Sequence, residues 1–294
     1  MAVLGSRILL LGYCCLRVSA FSSVFVPSQR ISSQRFQSTA AAAAVKENKD
    51  IDDRILDCSV ADNNSAADRL KREIFQLGAA YDRGFGASPR ARQKTLAVIE
   101  KLEECNTETN AARYIQGASS PFDDNGVTAT SSSSVSPLTG NWRMVWTTAL
   151  DVLLLQASPI FTTGAIHQVF QPPLVTNVID FLPRFQALLP PDLIPNSLIR
   201  AKVQTAATER SGKPNRVGLI FERVEVAPLQ VLGVDIEVFP PIGFNLPKLP
   251  GTDQQAVDSP GYFDVTYLDE ELLVIRQNAP GGIFVLVKVD SIEA

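Results

Sequence analysis

The segment from Gly261 to Val289, GYFDVTYLDEELLVIRQNAPGGIFVLVKV, leaves the chain few options. Phe263, Val265 and Tyr267 alternate with Asp264, Thr266 and Leu268, the two-residue period of a strand whose faces meet different surroundings. Asp269 and Glu270 make a polar turn. Leu272, Val274 and Arg276 then alternate with Leu273, Ile275 and Gln277. Asn278 to Gly282, with Pro280 and two glycines, is a second turn. Ile283 to Val289 is β-branched or aromatic at most positions. Three strands joined by short turns form an antiparallel meander. On a regular strand Asp264 and Tyr267 would face opposite ways.

Strand-like runs precede the meander, near 142–148, 164–170, 174–181, 199–209, 216–226 and 231–239. No long helical pattern divides them, so the expected arrangement is antiparallel and all-β, and closure into a barrel removes exposed edges. Before them the period changes. Leu70, Ile74, Leu77 and Tyr81 form one apolar helical stripe, and Thr95, Val98, Leu102 and Cys105 a second. Between them Gly84 to Ala87 breaks the pattern, Ser88 suits an N-cap and Pro89 the first helical position. The expected fold class is mainly β: a lipocalin-like antiparallel β-barrel at 138–290, preceded by an α-helical hairpin at 62–116 and a Ser-rich linker at 117–137.

Composition closes several doors. The net charge of −4 offers no clustered positive field for nucleic acid. His167 is the only histidine, so a His-rich metal centre is excluded. No G-x-G-x-x-G opens a helix, and neither a Walker A sequence nor H-E-x-x-H is present. No cofactor, metal or catalytic set is therefore assigned. With Cys14 and Cys15 in the apolar start of the chain, expected to be removed, Cys58 and Cys105 are too few for a disulfide framework.

The first residues read as an address. Met1 to Ala20 has a basic start ending at Arg7, an apolar run from Ile8 to Leu16, and Val18-Ser19-Ala20 as a small-residue cleavage site, the pattern of a signal peptide. Residues 21–46 follow with Phe21, many serines, Arg30 and Arg35, and no acidic residue before Glu47, the composition of a transit peptide. The two together resemble the bipartite presequence of algae with secondary plastids, which implies a plastid destination reached through the secretory pathway.

The meander also resembles the end of the plastid lipid-associated protein/fibrillin domain. The matching residues are Asp264, Thr266, Tyr267, Leu268, Asp269, Leu272, Arg276, Gly282 and Phe284 to Lys288. Gln277 stands where the family usually has Gly. Trp142-Arg143 with Trp146-Thr147-Thr148 resembles the family's opening strand, and Ile166 with Gln168 its "G-x-I-x-Q" strand. Asn177 matches a family Asn, and Arg216-Val217 with Phe221 an "R-V-x-x-x-F" strand. Gly140-Asn141-Trp142 is similar to the lipocalin signature, in which the Trp plugs the closed barrel end and an Arg from a late strand stacks on it. By that analogy Arg276 lies over Trp142, a latch of about 0.5–2 kcal/mol.

Two apolar segments are punctuated by proline: Phe181 to Ile199 and Pro240 to Gly251. Proline keeps them from being central strands. They are expected to form the barrel mouth or to rest on a lipid surface. The candidate ligand-binding residues are thus Trp142, Arg276 and His167 in the barrel, and Phe185, Leu189 and Phe244 at its mouth. Neither segment is long enough to span a bilayer, so the expected protein is peripheral. The family resemblance implies a non-enzymatic plastid protein that binds or coats hydrophobic metabolites and lipid surfaces, the plastoglobule or thylakoid. A barrel enzyme acting on an isoprenoid or oxidised lipid, with Asp264, Tyr267, Asp269 and His167 as its polar groups, is one alternative. A scaffold for a lipid-biosynthetic enzyme, docking through the hairpin, is the other.

Overall fold

The computed structural model describes residues 60–117, 135–188, 197–210, 212–236, 240–246, 261–278 and 281–292. The two presequence segments at 1–20 and 21–46, Leu189, and most of the linker at 117–137 lie outside them.

Helices α1 (Val60–Ala80) and α2 (Pro89–Glu104) form the hairpin. Ser88 caps α2, its Oγ accepting from the Ala91 amide at 3.2 Å, with Pro89 behind it. Ile74, Leu77, Val98, Ile99 and Leu102 are buried along the facing stripes. These stripes do not close on each other alone. They pack on Trp146, Tyr267, Leu272, Val274, Ile283 and Val285, the outer wall of the sheet. The hairpin is one layer of the domain, with its apolar surface covered.

The strands are β1 (Gly140–Thr147), β2 (Phe161–Gln171), β3 (Leu174–Pro183), β4 (Leu198–Arg210), β5 (Lys213–Val231), β6 (Val234–Asp235), β7 (Ile242–Asn245), β8 (Tyr262–Leu268), β9 (Leu272–Gln277) and β10 (Gly282–Val289). Eight of them close a barrel in the circuit β1-β2-β3-β4-β5-β8-β9-β10, every pairing antiparallel. A short helix α3 (Leu150–Leu153) and a 3-10 turn (Leu154–Ala157) join β1 to β2, and a further 3-10 turn (Arg184–Leu188) follows β3. The run expected as a strand at 231–239 divides instead. Val231 ends β5, Leu232 and Gly233 turn at positive φ, and β6 is two residues long. Within the proline-punctuated segment, Ile242–Asn245 does form a strand, on the edge of β5, the place that flanking prolines permit.

Bulges decide which residues face the lumen. On β1, Met144 pairs with Leu286 and Trp146 with Val285, so Val145 is an extra residue. It inverts the alternation: Trp142, and Met144 opposite inward-facing Leu286, face inward, whereas Trp146 faces the hairpin. On β8, Val265 pairs with Ile275 and Tyr267 with Val274, leaving Thr266 extra. Asp264 and Tyr267 therefore share the outer face, contrary to the regular alternation expected from sequence. The hairpin sits close over the first bulge because it carries glycines there. A Cβ on Gly78 would stand 2.5 Å from the Val145 carbonyl oxygen, and one on Gly84, whose φ is +101°, would collide with that of Thr147.

Candidate functional site

One end of the barrel is shut. Trp142, Phe170, Val175, Ala207, Val217, Phe263 and Leu286 pack there with Ala111, Ala112, Ile115 and Leu138 from the segments flanking the linker. Trp142 is wholly buried, its Nε1 donating to the Leu138 carbonyl at 2.8 Å. Phe170 and Phe263 meet edge to face at 6.3 Å between centroids. The plug is tied down where the Ala111 and Ala112 amides donate to Asn215 Oδ1 and the Pro214 carbonyl, both at 2.9 Å.

The other end is open, and burial along single strands shows it. On β4 the inward residues Ala207 and Thr205 are 2% and 0% exposed, whereas Val203, Ala201 and Ile199 are only half-buried. On β3 the same change runs from buried Val175 to half-buried Asn177, Ile179 and Phe181. On β5 it runs from buried Val217 to Phe221, 41% exposed, then to half-buried Val224 and Val226. Above Leu219 the neighbour of β5 is no longer β8 but β7, and Val224 and Val226 pair there with Phe244 and Ile242. The inward rows are apolar right across: Ile179, Ala201, Val226 and Ile242 form one, and Val203, Val224 and Phe244 most of the next. The outward rows beside them are polar: Gln204 stands opposite Arg223, Lys202 opposite Glu225, and Asp180 opposite Arg200. Asp180 and Arg200 bond bidentately at 2.7 and 3.0 Å. The strand extension thus has a wet outer face and an accessible apolar inner face.

The candidate residues scatter around this cleft. Phe244 lies on its inner face and Phe185, 49% exposed, in the turn after β3 at the same end. His167 is buried but opposes Arg143 on the outer wall, where both line a groove of about 400 Å³ with Lys288 and Asp290. Arg276 does not stack on Trp142. It faces outward, paired with Ile283 five residues up β10 from the partner of Trp142, or about 16 Å along the strand. Its guanidinium donates to both Glu103 oxygens at 2.7 and 2.6 Å. The cation over the indole is Lys288, with Nζ 5.4 Å from the ring centroid. The bulged, outward course of β8 explains the difference: Glu103 at the end of α2 lies over the outer face and also accepts from the Thr266 hydroxyl at 2.6 Å.

The rest of the meander motif does similar work. Asp269 accepts from Tyr267 Oη at 2.7 Å, lies 2.5 Å from Lys71 Nζ, and takes the Glu271 and Leu272 amides in its own turn. Burial alone would push the Asp269 carboxyl up; these donors outweigh it and hold it below its usual value. Burial, reinforced by Asp269, pushes the Tyr267 hydroxyl well above its ordinary range. Burial would lower the Lys71 ammonium, but Asp269, Glu271 and Asp68 leave it raised. Asp264 pairs bidentately with Arg216 at 2.7 and 2.8 Å, and Arg216 also lies 3.9 Å over the Tyr262 ring. Asp264, Thr266, Tyr267, Asp269 and Arg276 thus fasten the outer wall, and none of these five enters the lumen.

Sequence reasoning missed Glu103 and Lys288 as the partners of Arg276 and Trp142, and it missed the inner rows of β3 to β5. Their signal was present in the alternation Ile199, Ala201, Val203 and Val224, Val226, but nothing local shows that such a face is left uncovered.

A closed antiparallel barrel with a tryptophan in its shut end and an accessible, largely apolar face in its open end defines a lipocalin-like, lipid-associated class of protein. The PAP_fibrillin family model matches residues 112–287, from the plug into the last strand, and the chain belongs to the plastid lipid-associated protein/fibrillin family. Membership carries plastid association and a structural, lipid-associated role. No curated protein and no solved structure matches the chain. Among the described residues no helix is long and apolar enough to cross a membrane, and no group of metal-ligating side chains assembles.

Proposed function

We propose that this protein holds a hydrophobic plastid metabolite against the inner face of β3, β4, β5 and β7, and rests its open end on a plastoglobule or thylakoid lipid surface. The loss of burial along inward rows that remain apolar is the observation that carries this reading. Exposed Leu150, Leu154, Ile160 and Phe185 on the connections around the same end extend the apolar surface outward. Burying a few of them would contribute about 1.5–3 kcal/mol each, the range of reversible association. Delivery to the plastid rests on the signal-like and transit-like segments read in the sequence. The enzyme alternative finds no support in the lumen, because Asp264, Tyr267, Asp269 and His167 all stand on the outer wall. The scaffold alternative gains no support from the described hairpin stripes, which pack on the barrel wall.

Two substitutions on one face of one strand test the cleft. Ala201→Phe enlarges a half-buried position in the accessible half and should leave stability within about 0.5 kcal/mol while sharply reducing the lipid recovered by extraction and mass spectrometry. Ala207→Phe overpacks the shut end and should destabilise by about 1–3 kcal/mol. Equal destabilisation by both, or no enriched lipid in the unsubstituted protein, would overturn the reading.

A further inference from the structure

We infer that Gln168 and Asn177 form a polar floor to the apolar cleft and select a ligand that carries an uncharged oxygen head, a carbonyl, ester or hydroxyl, on a long apolar tail. The inference rests on the proposed occupation of the cleft and adds to it the chemical class of the occupant.

The two carboxamides stand directly opposite each other on β2 and β3, in the inward row that runs Trp142, Gln168, Asn177, Val203, Val224, Phe244. On one side of that row Phe170, Val175 and Thr205 are packed shut. On the other side Ile179, Ala201, Val226 and Ile242 line the accessible half, beside buried Ile166. The amides therefore mark the boundary between floor and cleft.

Gln168 is 7% exposed, yet among the described residues neither its side chain nor that of Asn177 makes a hydrogen bond. Their neighbours are already engaged: the Trp142 indole donates to Leu138 and the Thr205 hydroxyl to the Val175 carbonyl. The amide atoms of Gln168 are not sealed off as orphans, so its small residual exposure includes them and they open on the lumen. Buried amides are normally partnered, because each unmade bond is a desolvation loss. A primary amide both donates and accepts, so the pair suits a carbonyl or a hydroxyl equally. It suits a carboxylate less well: the charged side chain of this row, Lys288, lies beyond Trp142 from the amides, with its ammonium over the indole, so an anion at the amides would arrive without an adjacent counter-charge. A tail continuing from such a head would run over Ile179, Ala201 and Val226 toward Ile242.

The experiment is displacement of the fluorescent probe N-phenylnaphthylamine from the purified protein by straight-chain ligands of equal length: an alkane, an alcohol, a methyl ketone and a carboxylate. The alcohol and ketone should bind about tenfold more tightly than the alkane and the carboxylate, the scale of one net hydrogen bond. The double variant Gln168→Leu, Asn177→Leu should lose that preference while keeping its affinity for the alkane. A merely structural role for the amides would lower the melting temperature without changing the ranking of heads. Equal binding of all heads by the unsubstituted protein, or a preference that survives in the double variant, overturns the inference and leaves the cleft standing. Failure of even the alkane to displace the probe overturns both. Should the variant not fold, the ranking by the unsubstituted protein decides alone.

Discussion

Replacing Arg276 by Gln separates two accounts of the most prominent residue in the meander. If it latched onto Trp142, its loss would disturb the shut end. In the structure it instead clamps α2 to β9 through Glu103. The Glu103 side chain is 15% exposed and that of Arg276 37%, so one end of the pair is largely dry and the other wet. Glu103 holds the guanidinium even further above its ordinary value, the sign expected of a stabilising partner. A hydrogen bond to a charged group contributes about 1.5–3 kcal/mol, and solvent screening at the arginine end draws the figure down, to about 2 kcal/mol. Thr266 still donates to Glu103 in the variant, so the carboxylate keeps one partner. A loss of about 2 kcal/mol lowers the melting temperature by about 4–8 °C in a domain of this size. Combining Arg276→Gln with Glu103→Gln in a double-mutant cycle, followed by urea denaturation, should give a coupling of about 1 kcal/mol or more. The emission of Trp142, isolated by Trp146→Phe, should hold steady in Arg276→Gln and shift in Lys288→Ala. Additive effects at the two clamp positions, or a Trp142 spectrum that follows Arg276, would refute this assignment.

Gly84→Ala meets both a left-handed backbone and the Thr147 carbonyl, and should destabilise by about 3 kcal/mol in thermal unfolding. Gly86→Ala, whose Cβ would stand 3.5 Å from the nearest atom, should change stability by no more than about 0.5 kcal/mol. Asp269→Asn gives a pH-dependent difference. The Asp269 carboxyl is lowered in the folded protein, so the stability it adds is present above the unfolded value of about 3.9 and is lost as pH falls through the lower folded value. Denaturation of the two proteins should therefore differ at neutral pH and converge in acid, below about pH 4; a difference that grows on acidification would contradict the Lys71 and Tyr267 contacts.

Much of this architecture was legible because the code for it is local. The stripe of Leu70, Ile74 and Leu77, the cap at Ser88 and the alternation of β9 and β10 each depend on neighbours within a few residues, and each element formed. What could not be read was set by single inserted residues. Val145 and Thr266 look like ordinary strand positions, yet each shifts the ladder by one and exchanges inside for outside beyond it. That is why Trp146 belongs to the hairpin, and why Asp264 and Tyr267 share a face. The partner of Arg276 was hidden for a different reason: Glu103 is 173 positions away, and its approach depends on the glycines that let the hairpin sit against β1. The cleft itself was illegible as a cleft, since Ile199, Ala201 and Val203 read alike whether a core covers them or not.

Strand length explains how one barrel can be both shut and open. β8, β9 and β10 have 7, 6 and 8 residues, whereas β4 and β5 have 13 and 19. Where short and long strands overlap, residues from opposite walls meet and the lumen fills with Trp142, Phe170 and Phe263. Beyond Leu219 β5 continues for twelve residues to Val231, roughly 40 Å of chain at strand rise, with β4 on one side and β7 rather than the short wall on the other. Side chains on that extension still alternate as if a core faced them, but among the described residues the short wall has ended. An apolar face of that extent left only half-buried is ordinarily a liability to a protein in water, and retaining it is intelligible if a hydrophobic guest or a lipid surface completes its cover. On this view shortening the β4–β5 extension should improve solubility and abolish lipid association together. If the two properties changed independently, the extension would not be where the lipid lies.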